Sequence, residues 1–181
     1  MRIVSGILRG RQINPPSSFN SRPTTDYAKE SLFNILNSRY DFSDCDVLDL
    51  FAGTGSISFE FCSRESKSVT AVELNAKMHN FIKTTAQNFK CQNFFSVKAD
   101  ALRYLKSTSH KYDIIFADPP YQSDKYEEIH ELCFSRELLK PDGVLILEHD
   151  KSLDLSKLKN FEEYRKYAGV FLSFFYNIKH S

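Results

Sequence analysis

Short apolar runs alternate with amphipathic stretches along most of the chain from residue 45 onward. Runs rich in Val, Leu, Ile and Phe indicate buried strands, and stretches with apolar positions three or four residues apart indicate helices. The strands are predicted at residues 47–51, 69–72, 94–97, 112–117 and 144–148. The helices are predicted at residues 56–63, after a cap at Asn75, after Asp100 and around 126–139, with a turn at Asp142-Gly143. This alternation predicts an open α/β sheet of mostly parallel strands with right-handed crossovers.

Both ends of the chain depart from this alternation. Residues 2–13 read as a short β-hairpin punctuated by glycines. A helix capped by Thr25 or Asp26 follows, with its apolar positions on one face. Residues 161–167 and 170–178 predict an antiparallel hairpin joined at Ala168-Gly169, near one edge of the sheet. We therefore expect a hairpin arm over residues 1–20 and a single domain over residues 21–181.

Composition excludes several classes of protein. A chain of 181 residues that is 41% hydrophobic and 26% charged suits one globular domain and argues against disorder. No run of apolar residues is long enough for a transmembrane helix, and the first residues lack a signal-peptide core, so a cytoplasmic protein is expected. The four cysteines are widely spaced, which favours buried free thiols and gives no metal-binding pattern.

Basic residues are concentrated near the beginning of the chain. Residues 1–40 carry six basic and two acidic side chains, although the net charge of the whole chain is only +1. Arg2, Arg9, Arg11 and Arg22 precede the first acidic residue, Asp26. A basic flank on a more acidic body suggests contact with a polyanion, and we treat Arg2, Arg9 and Arg11 as candidate phosphate contacts. A solvated surface without a partner explains the charge equally well.

Glycines and acids follow the predicted strands. Gly53 and Gly55 make a tight turn after the first strand, where backbone N–H groups can approach a ligand closely. Glu73 ends the second strand and could accept both hydroxyls of a ribose, and Asp100 follows the third strand and could accept from an exocyclic amine. The dinucleotide-binding motif G-x-G-x-x-G is not matched, because Ser58 occupies the position of its third glycine. Together these positions favour a nucleoside cofactor, whereas each alone is as well explained by a turn or a helix cap.

The most specific motif is Asp118-Pro119-Pro120-Tyr121, after the fourth strand. Two prolines lock the backbone, so a carbonyl oxygen is held beside the Asp118 carboxylate. Two fixed acceptors can hold an –NH2 group, and Tyr121 can stack on the attached ring. A simple turn would require neither the acid nor the aromatic residue.

Two sets of residues resemble known enzymes. The segment Leu48-Asp49-Leu50-Phe51-Ala52-Gly53-Thr54-Gly55 resembles the first motif of class I S-adenosylmethionine methyltransferases, and Asp118-Pro119-Pro120-Tyr121 resembles the motif of those that methylate amino groups. The N-terminal part resembles the RsmD family at Arg9-Gly10-Arg11, Arg22-Pro23-Thr24-Thr25-Asp26 and Glu30-Ser31-Leu32-Phe33-Asn34. Members of that family are similar throughout their length, so the resemblance covers nearly the whole chain. The resemblance implies a Rossmann-like class I methyltransferase fold, with a seven-stranded, mostly parallel sheet and one antiparallel strand. It also implies methylation of guanine N2 in 16S rRNA.

The resemblance also implies a role for individual residues. The S-adenosylmethionine site would comprise Thr24, Asp49, Phe51, Gly53, Gly55, Glu73, Leu74, Asp100 and Ala101. Catalysis would depend on Asp118, Pro119 and Tyr121, and substrate binding on Pro120, Arg2, Arg9, Arg11 and Arg22. One departure from the family is Tyr27-Ala28 in place of a common Arg-Val, which removes a basic contact. No metal is expected.

Three alternatives use the same motifs. An adenine-N6 methyltransferase acting on DNA or RNA would hold its amine with the same tetrapeptide, but the compact join between strands four and five leaves no room for a separate target-recognition domain. A protein-amide methyltransferase would not need the basic arm, and a non-catalytic RNA-binding module would not need the intact acids. The substrate, naked 16S rRNA or an assembling small ribosomal subunit, is left open, and a monomer is expected.

Overall fold

The computed structural model describes residues 1–17, 25–120, 125–167 and 169–178. The helices are Asp26–Asn37 (α1), Ser56–Ser63 (α2), Ala76–Asn88 (α3), Ala101–Ser107 (α4) and Lys125–Ser135 (α5). The strands are Asp46–Leu50 (β1), Ser68–Glu73 (β2), Phe94–Lys98 (β3), Tyr112–Ala117 (β4), Leu139–His149 (β5), Phe161–Tyr167 (β6) and Val170–Tyr176 (β7). Thr25, Asn75 and Asp100 cap α1, α3 and α4 through their side chains.

The seven strands form a single sheet in the order β3-β2-β1-β4-β5-β7-β6. Neighbours from β3 to β5 are parallel, and β7 is antiparallel to both β5 and β6. The predicted fold class is therefore confirmed. Because the chain returns from β3 to place β4 on the other side of β1, the strand order reverses between β1 and β4, where ligands bind in open α/β sheets.

The boundaries around β5 correct two sequence predictions. Helix α5 ends at Ser135, not near residue 139, and the predicted turn at Asp142-Gly143 lies inside β5. The register with β4 shifts between the pairs Tyr112–Leu139 and Ile114–Val144, so the turn-forming residues are accommodated as a bulge. Pairing with β4 thus extends the strand past a sequence that would otherwise end it.

Apolar side chains pack on both faces of the sheet, as expected for a parallel sheet covered by helices. On one face, Leu48, Ile115 and Leu147 pack with residues of α4 and α5. On the other, Val47 and Phe116 pack with residues of α1 and α2. The alternation along each strand therefore assigns one face to α4 and α5 and the other to α1 and α2.

The N-terminal segment is a hairpin that packs along α2. Arg2 and Gln12 form an antiparallel bridge, as expected for a hairpin over residues 2–13. Ile3, Leu8 and Ile13 are buried in a cluster that includes residues of α2 and α3. The fully buried Glu60 accepts hydrogen bonds from the backbone N–H groups of Val4 at 2.9 Å and Ser5 at 3.1 Å, and it also binds the Arg64 guanidinium. Glu60 therefore holds the hairpin to the helix.

The expectation of four free thiols is wrong for two of the cysteines. Cys62 in α2 and Cys91 just after α3 form a disulfide, with Cα atoms 6.3 Å apart. They are 29 residues apart in sequence, so only the packing of α2 beside α3 brings them together. Cys45 and Cys133 are buried free thiols, as predicted.

Candidate active site

The carboxyl ends of four neighbouring strands bring the predicted site residues to one edge of the sheet. The loop 51–55 follows β1, Glu73 ends β2, Asp100 follows β3 and Asp118 follows β4. Since the strand order is β3-β2-β1-β4, these positions lie side by side at the point where the strand order reverses. This arrangement defines the candidate active site.

Asp49 is buried in β1 and binds the first turn of α2. One of its carboxylate oxygens accepts hydrogen bonds from the backbone N–H of Ser58, at 3.1 Å, and from the Ser58 hydroxyl. Burial raises the pKa of Asp49 to about 7, while the Ser58 hydrogen bonds act in the opposite direction. Ser58 breaks the dinucleotide-binding motif in the sequence, and the structure shows that it positions Asp49. Sequence reasoning missed this partnership.

The loop after β1 turns tightly through three left-handed residues: Phe51, Gly53 and Gly55 have φ angles of 60°, 55° and 76°. A Cβ atom on Gly55 would lie 2.7 Å from the Phe59 ring, so a larger residue would displace this packing. A Cβ atom on Gly53 would meet only the Phe51 carbonyl oxygen, at 3.8 Å. The backbone at Gly53 is therefore open to a ligand.

Glu73 connects the loops after β1 and β2. Its Oε2 accepts from the Gly53 N–H at 2.8 Å, and its Oε1 accepts from the Asn75 N–H at 2.7 Å. Each carboxylate oxygen has further acceptor capacity for a ribose hydroxyl. The next side chain, Leu74, is 63% exposed. An acid fixed beside an exposed apolar side chain fits a nucleoside, with Glu73 on the sugar and Leu74 on the base.

Asp100 and Ala101 differ in what they can offer a ligand. Asp100 is half-buried and caps α4, accepting from the Arg103 N–H at 3.0 Å. The side chain of Ala101 is buried in the core on the α4 and α5 face. Only the backbone of Ala101 therefore remains for the predicted contact with the cofactor.

Asp118 lies between the loop after β1 and the end of β5. Burial raises the pKa of Asp118 to about 6, and its charge contributes to the raised pKa of Asp49. Pro119 is buried and Pro120 is exposed. Neither proline has an N–H group, so this segment presents only acceptors to a bound amine. Tyr121, Arg22 and Thr24 lie outside the described residues.

The N-terminal arginines lie in different surroundings. Arg2 donates from Nε to Asp26 at 2.7 Å, which connects the hairpin to the first turn of α1. Arg9 is exposed, and the Arg11 guanidinium lies 5.7 Å from the centre of the Phe89 ring. Phe89 caps the C-terminal end of α3, whereas the candidate site lies where α3 begins. Arg2 and Arg11 thus face different parts of the surface.

Comparison with known proteins decides the family. The profile of the family described as Conserved hypothetical protein 95 matches residues 1–176. The chain belongs to this family. The predicted resemblance to the RsmD family is thereby confirmed.

Curated relatives of this Conserved hypothetical protein 95 member are named Ribosomal RNA small subunit methyltransferase D. The Haemophilus influenzae protein is 34% identical over 165 residues, covering 89% of this chain and 84% of the relative. The Escherichia coli protein is 30% identical over 150 residues, covering 83% of this chain and 75% of the relative.

Solved structures agree with this family assignment. A putative methyltransferase from Escherichia coli superposes with a TM-score of 0.87 at 25% identity, over 98% of each chain. A further putative methyltransferase, solved as a complex with SAH, shares the fold alone, with a TM-score of 0.66 at 16% identity over 82% of this chain and 49% of the other. The fold is that of a class I S-adenosylmethionine-dependent methyltransferase, as the sequence predicts.

Among the described parts of the chain, none of the helices is both long enough and apolar enough to cross a membrane.

Proposed function

We propose that this protein transfers a methyl group from S-adenosylmethionine to the exocyclic N2 of a guanine in 16S rRNA. The observation that carries the proposal is the position of Asp118-Pro119-Pro120 at the end of β4, beside the glycine loop after β1. The names of the relatives, which refer to small-subunit ribosomal RNA, support the choice of substrate. The proposed alternative, adenine-N6 methylation, uses the same acceptors, but no relative described above carries a name that refers to it.

The residues at the strand ends fit the methyl donor. The open backbone at Gly53 and the left-handed turn at Gly55 would line its binding site, with Phe51 alongside, while Asp49 fixes the turn through Ser58. Glu73 would hold the ribose, Leu74 would pack on the adenine, and Asp100 and the Ala101 backbone would meet its amine. When bound, S-adenosylmethionine supplies an activated methyl group, so the protein needs to add little covalent chemistry.

The protein's main task is to orient a poor nucleophile. Guanine N2 donates its lone pair into the ring, so it must be turned and held before it can attack. The Asp118 carboxylate and the Pro119 carbonyl would accept its two N–H bonds and stabilise the positive charge that develops on nitrogen. Holding the amine in line contributes several kcal/mol through orientation alone. The proton can leave late, because the amine becomes acidic as the methyl group arrives.

Other predicted contacts complete the proposal. Tyr121 would stack on the guanine, Pro120 would border it, and Arg22 and Thr24 would close the donor site. Arg2, Arg9 and Arg11 would contact phosphates. We propose that the protein needs no metal and acts as a cytoplasmic monomer on 16S rRNA or on the assembling small subunit.

Methyl transfer from labelled S-adenosylmethionine tests the proposed function. The acceptors are unmethylated 16S rRNA, small-subunit particles lacking the modification, and duplex DNA. We expect N2-methylguanine in the rRNA or in the particle, identified by nucleoside analysis after digestion. Label in N6-methyladenine, or no transfer to any acceptor despite tight donor binding, contradicts the proposal.

The raised pKa of Asp118 predicts a pH-dependent rate. Only the ionised carboxylate presents acceptors without an O–H group, so kcat/KM is expected to rise with pH through a midpoint of about 6 and to level off above it. Initial rates over a range of pH at saturating donor measure this. The control is Asp118→Asn, because its side chain cannot ionise and its profile should therefore lack this rise. A wild-type profile that is flat through pH 6, or the same rise in Asp118→Asn, contradicts the role of Asp118.

Exposed Arg9 gives a test of the phosphate contacts. Arg9→Ala is expected to weaken RNA binding and to lower the slope of log K against log salt by about one unit, because one fewer counterion is released. Binding titrations at several salt concentrations measure the slope. Arg136→Ala is the matched control, since Arg136 is also exposed but follows α5, which packs on the opposite face of the sheet from the hairpin. An unchanged slope for Arg9→Ala excludes the assignment.

A further inference from the structure

A pair of tyrosines lies at the same edge of the sheet as the candidate site. Tyr27, the second residue of α1, is 66% exposed. Its ring meets that of Tyr167, the last residue of β6, edge to face, with centroids 6.1 Å apart. Tyr167 is half-buried against the core on the α1 and α2 face. Tyr27 is thus held in place by a second ring while most of its surface faces solvent. We call these two residues the tyrosine pair.

Strand directions fix where the tyrosine pair lies. Strand β6 is antiparallel to β7, β7 is antiparallel to β5, and β5 is parallel to β4. Strand β6 therefore ends at the same edge as β4, so Tyr167 and Asp118 share that edge. Phe116 packs on the same face as Tyr167, and Asp118 follows Phe116 by two positions along an extended backbone. The tyrosine pair and Asp118 therefore belong to one side of one edge.

The distance between them suits a short stretch of nucleic acid. Three strand spacings separate β4 from β6 in the sheet order, or about 14 Å at about 4.8 Å each. Stacked nucleotides advance by about 3.4 Å each, so about four would cover this distance. An RNA strand with its target base at Asp118 would bring a base about four nucleotides away to Tyr27.

The side chains along β6 change from acidic to basic toward the candidate site. Its sequence Phe-Glu-Glu-Tyr-Arg-Lys-Tyr places acids in its first half and the exposed Arg165 and Lys166 directly before Tyr167. On the other side of the tyrosine pair, exposed Arg2 binds Asp26, next to Tyr27. Basic side chains beside exposed aromatic rings are the combination that holds single-stranded nucleic acid: the cations contact phosphates and the rings stack on bases.

We propose that the tyrosine pair, flanked by Arg2 and Arg165, is a stacking platform for unpaired RNA within about four nucleotides of the target guanine. The proposal rests on the proposed function for its substrate. The RNA is expected to be single-stranded at this point, because base faces in a duplex are already stacked on each other. The platform would hold the strand after the target base has left its stack.

Binding of short RNA tests the platform directly. We compare a labelled single-stranded oligouridylate of about ten nucleotides with an RNA duplex of the same length, by fluorescence anisotropy. Tyr27→Ala is expected to bind the single strand about tenfold more weakly with an unchanged salt slope, whereas Tyr27→Phe keeps the affinity. Phe95→Ala is the matched control, because Phe95 is 56% exposed on β3 at the opposite end of the sheet.

Two results with the short RNAs would overturn the platform: Tyr27→Ala and Phe95→Ala bind the single strand with equal affinity, or Tyr27→Ala loses as much affinity for the duplex as for the single strand. A loss of affinity that is seen only with protein-bearing particles would also overturn it, because it would assign the surface to a ribosomal protein. The platform and the proposed function can fail separately. Absence of N2-methylguanine with a selective loss of single-strand binding would refute only the function, and methylation of 16S rRNA without that loss would refute only the platform.

Discussion

Asp118→Ala is expected to lower kcat/KM for methyl transfer at least about a hundredfold, while the affinity for S-adenosylmethionine changes little. Removal of one group that stabilises developing charge typically costs this much. Single-turnover transfer to 16S rRNA measures the chemical step, and calorimetric titration measures donor binding. Because partial burial disfavours the ionised Asp118 carboxylate and raises its pKa, the loss of this charge is not expected to destabilise the fold.

Asp118→Asn separates the two contributions of this side chain. The amide keeps one acceptor oxygen but lacks the negative charge, so the rate of this variant should lie between those of the wild type and Asp118→Ala. A nearly wild-type rate of methyl transfer by Asp118→Ala would show that other groups hold the guanine amine. A loss of donor binding as large as the loss of rate would assign Asp118 to the donor site instead.

Glu60→Ala is expected to reduce the free energy of unfolding by about 3–5 kcal/mol. The change leaves the backbone N–H groups of Val4 and Ser5 without their acceptor and the partly buried Arg64 without its carboxylate. Denaturant unfolding measures the loss. Limited trypsin digestion should also cut earlier after Arg9 and Arg11, because the hairpin is no longer held to α2.

The matched control for this prediction is an exposed ion pair. Glu128 binds Lys106 at 2.7 Å with both side chains largely in solvent, so Glu128→Ala should cost no more than about 1 kcal/mol. Equal destabilisation by Glu60→Ala and Glu128→Ala would show that the hairpin does not depend on Glu60. Glu60→Gln, which keeps one acceptor oxygen, should fall between Glu60→Ala and the wild type.

The features that the sequence predicts well are those with local causes. Apolar runs fix the strands, and Thr25, Asn75 and Asp100 fix the caps of α1, α3 and α4, because both signals act within a few residues. The placement of Glu73, Asp100 and Asp118 at one edge follows from strand alternation and from the rule that ligands bind at the carboxyl ends of parallel strands.

The features that it does not predict depend on contacts between distant segments. Glu60 occupies a helical position where an acid would ordinarily face solvent, and only the packed hairpin explains its burial. Cys62 and Cys91 meet because α2 lies beside α3. Tyr27 meets Tyr167 across 140 positions of sequence, a contact that depends on the placement of β6 at the edge of the sheet. Apolar periodicity carries no information about such pairs.

The position of β7 has a consequence for how the protein is made. This strand, Val-Phe-Leu-Ser-Phe-Phe-Tyr, has no charged residue, and it lies between β5 and β6 although it follows both in the chain. During synthesis β5 keeps an open edge and β6 has no neighbouring strand to pair with until β7 has emerged. A shortened chain that lacks β7 would therefore lose the link between two parts of the sheet, rather than one outer strand. The stacking surface around Tyr167 is completed only once β7 has paired with β6.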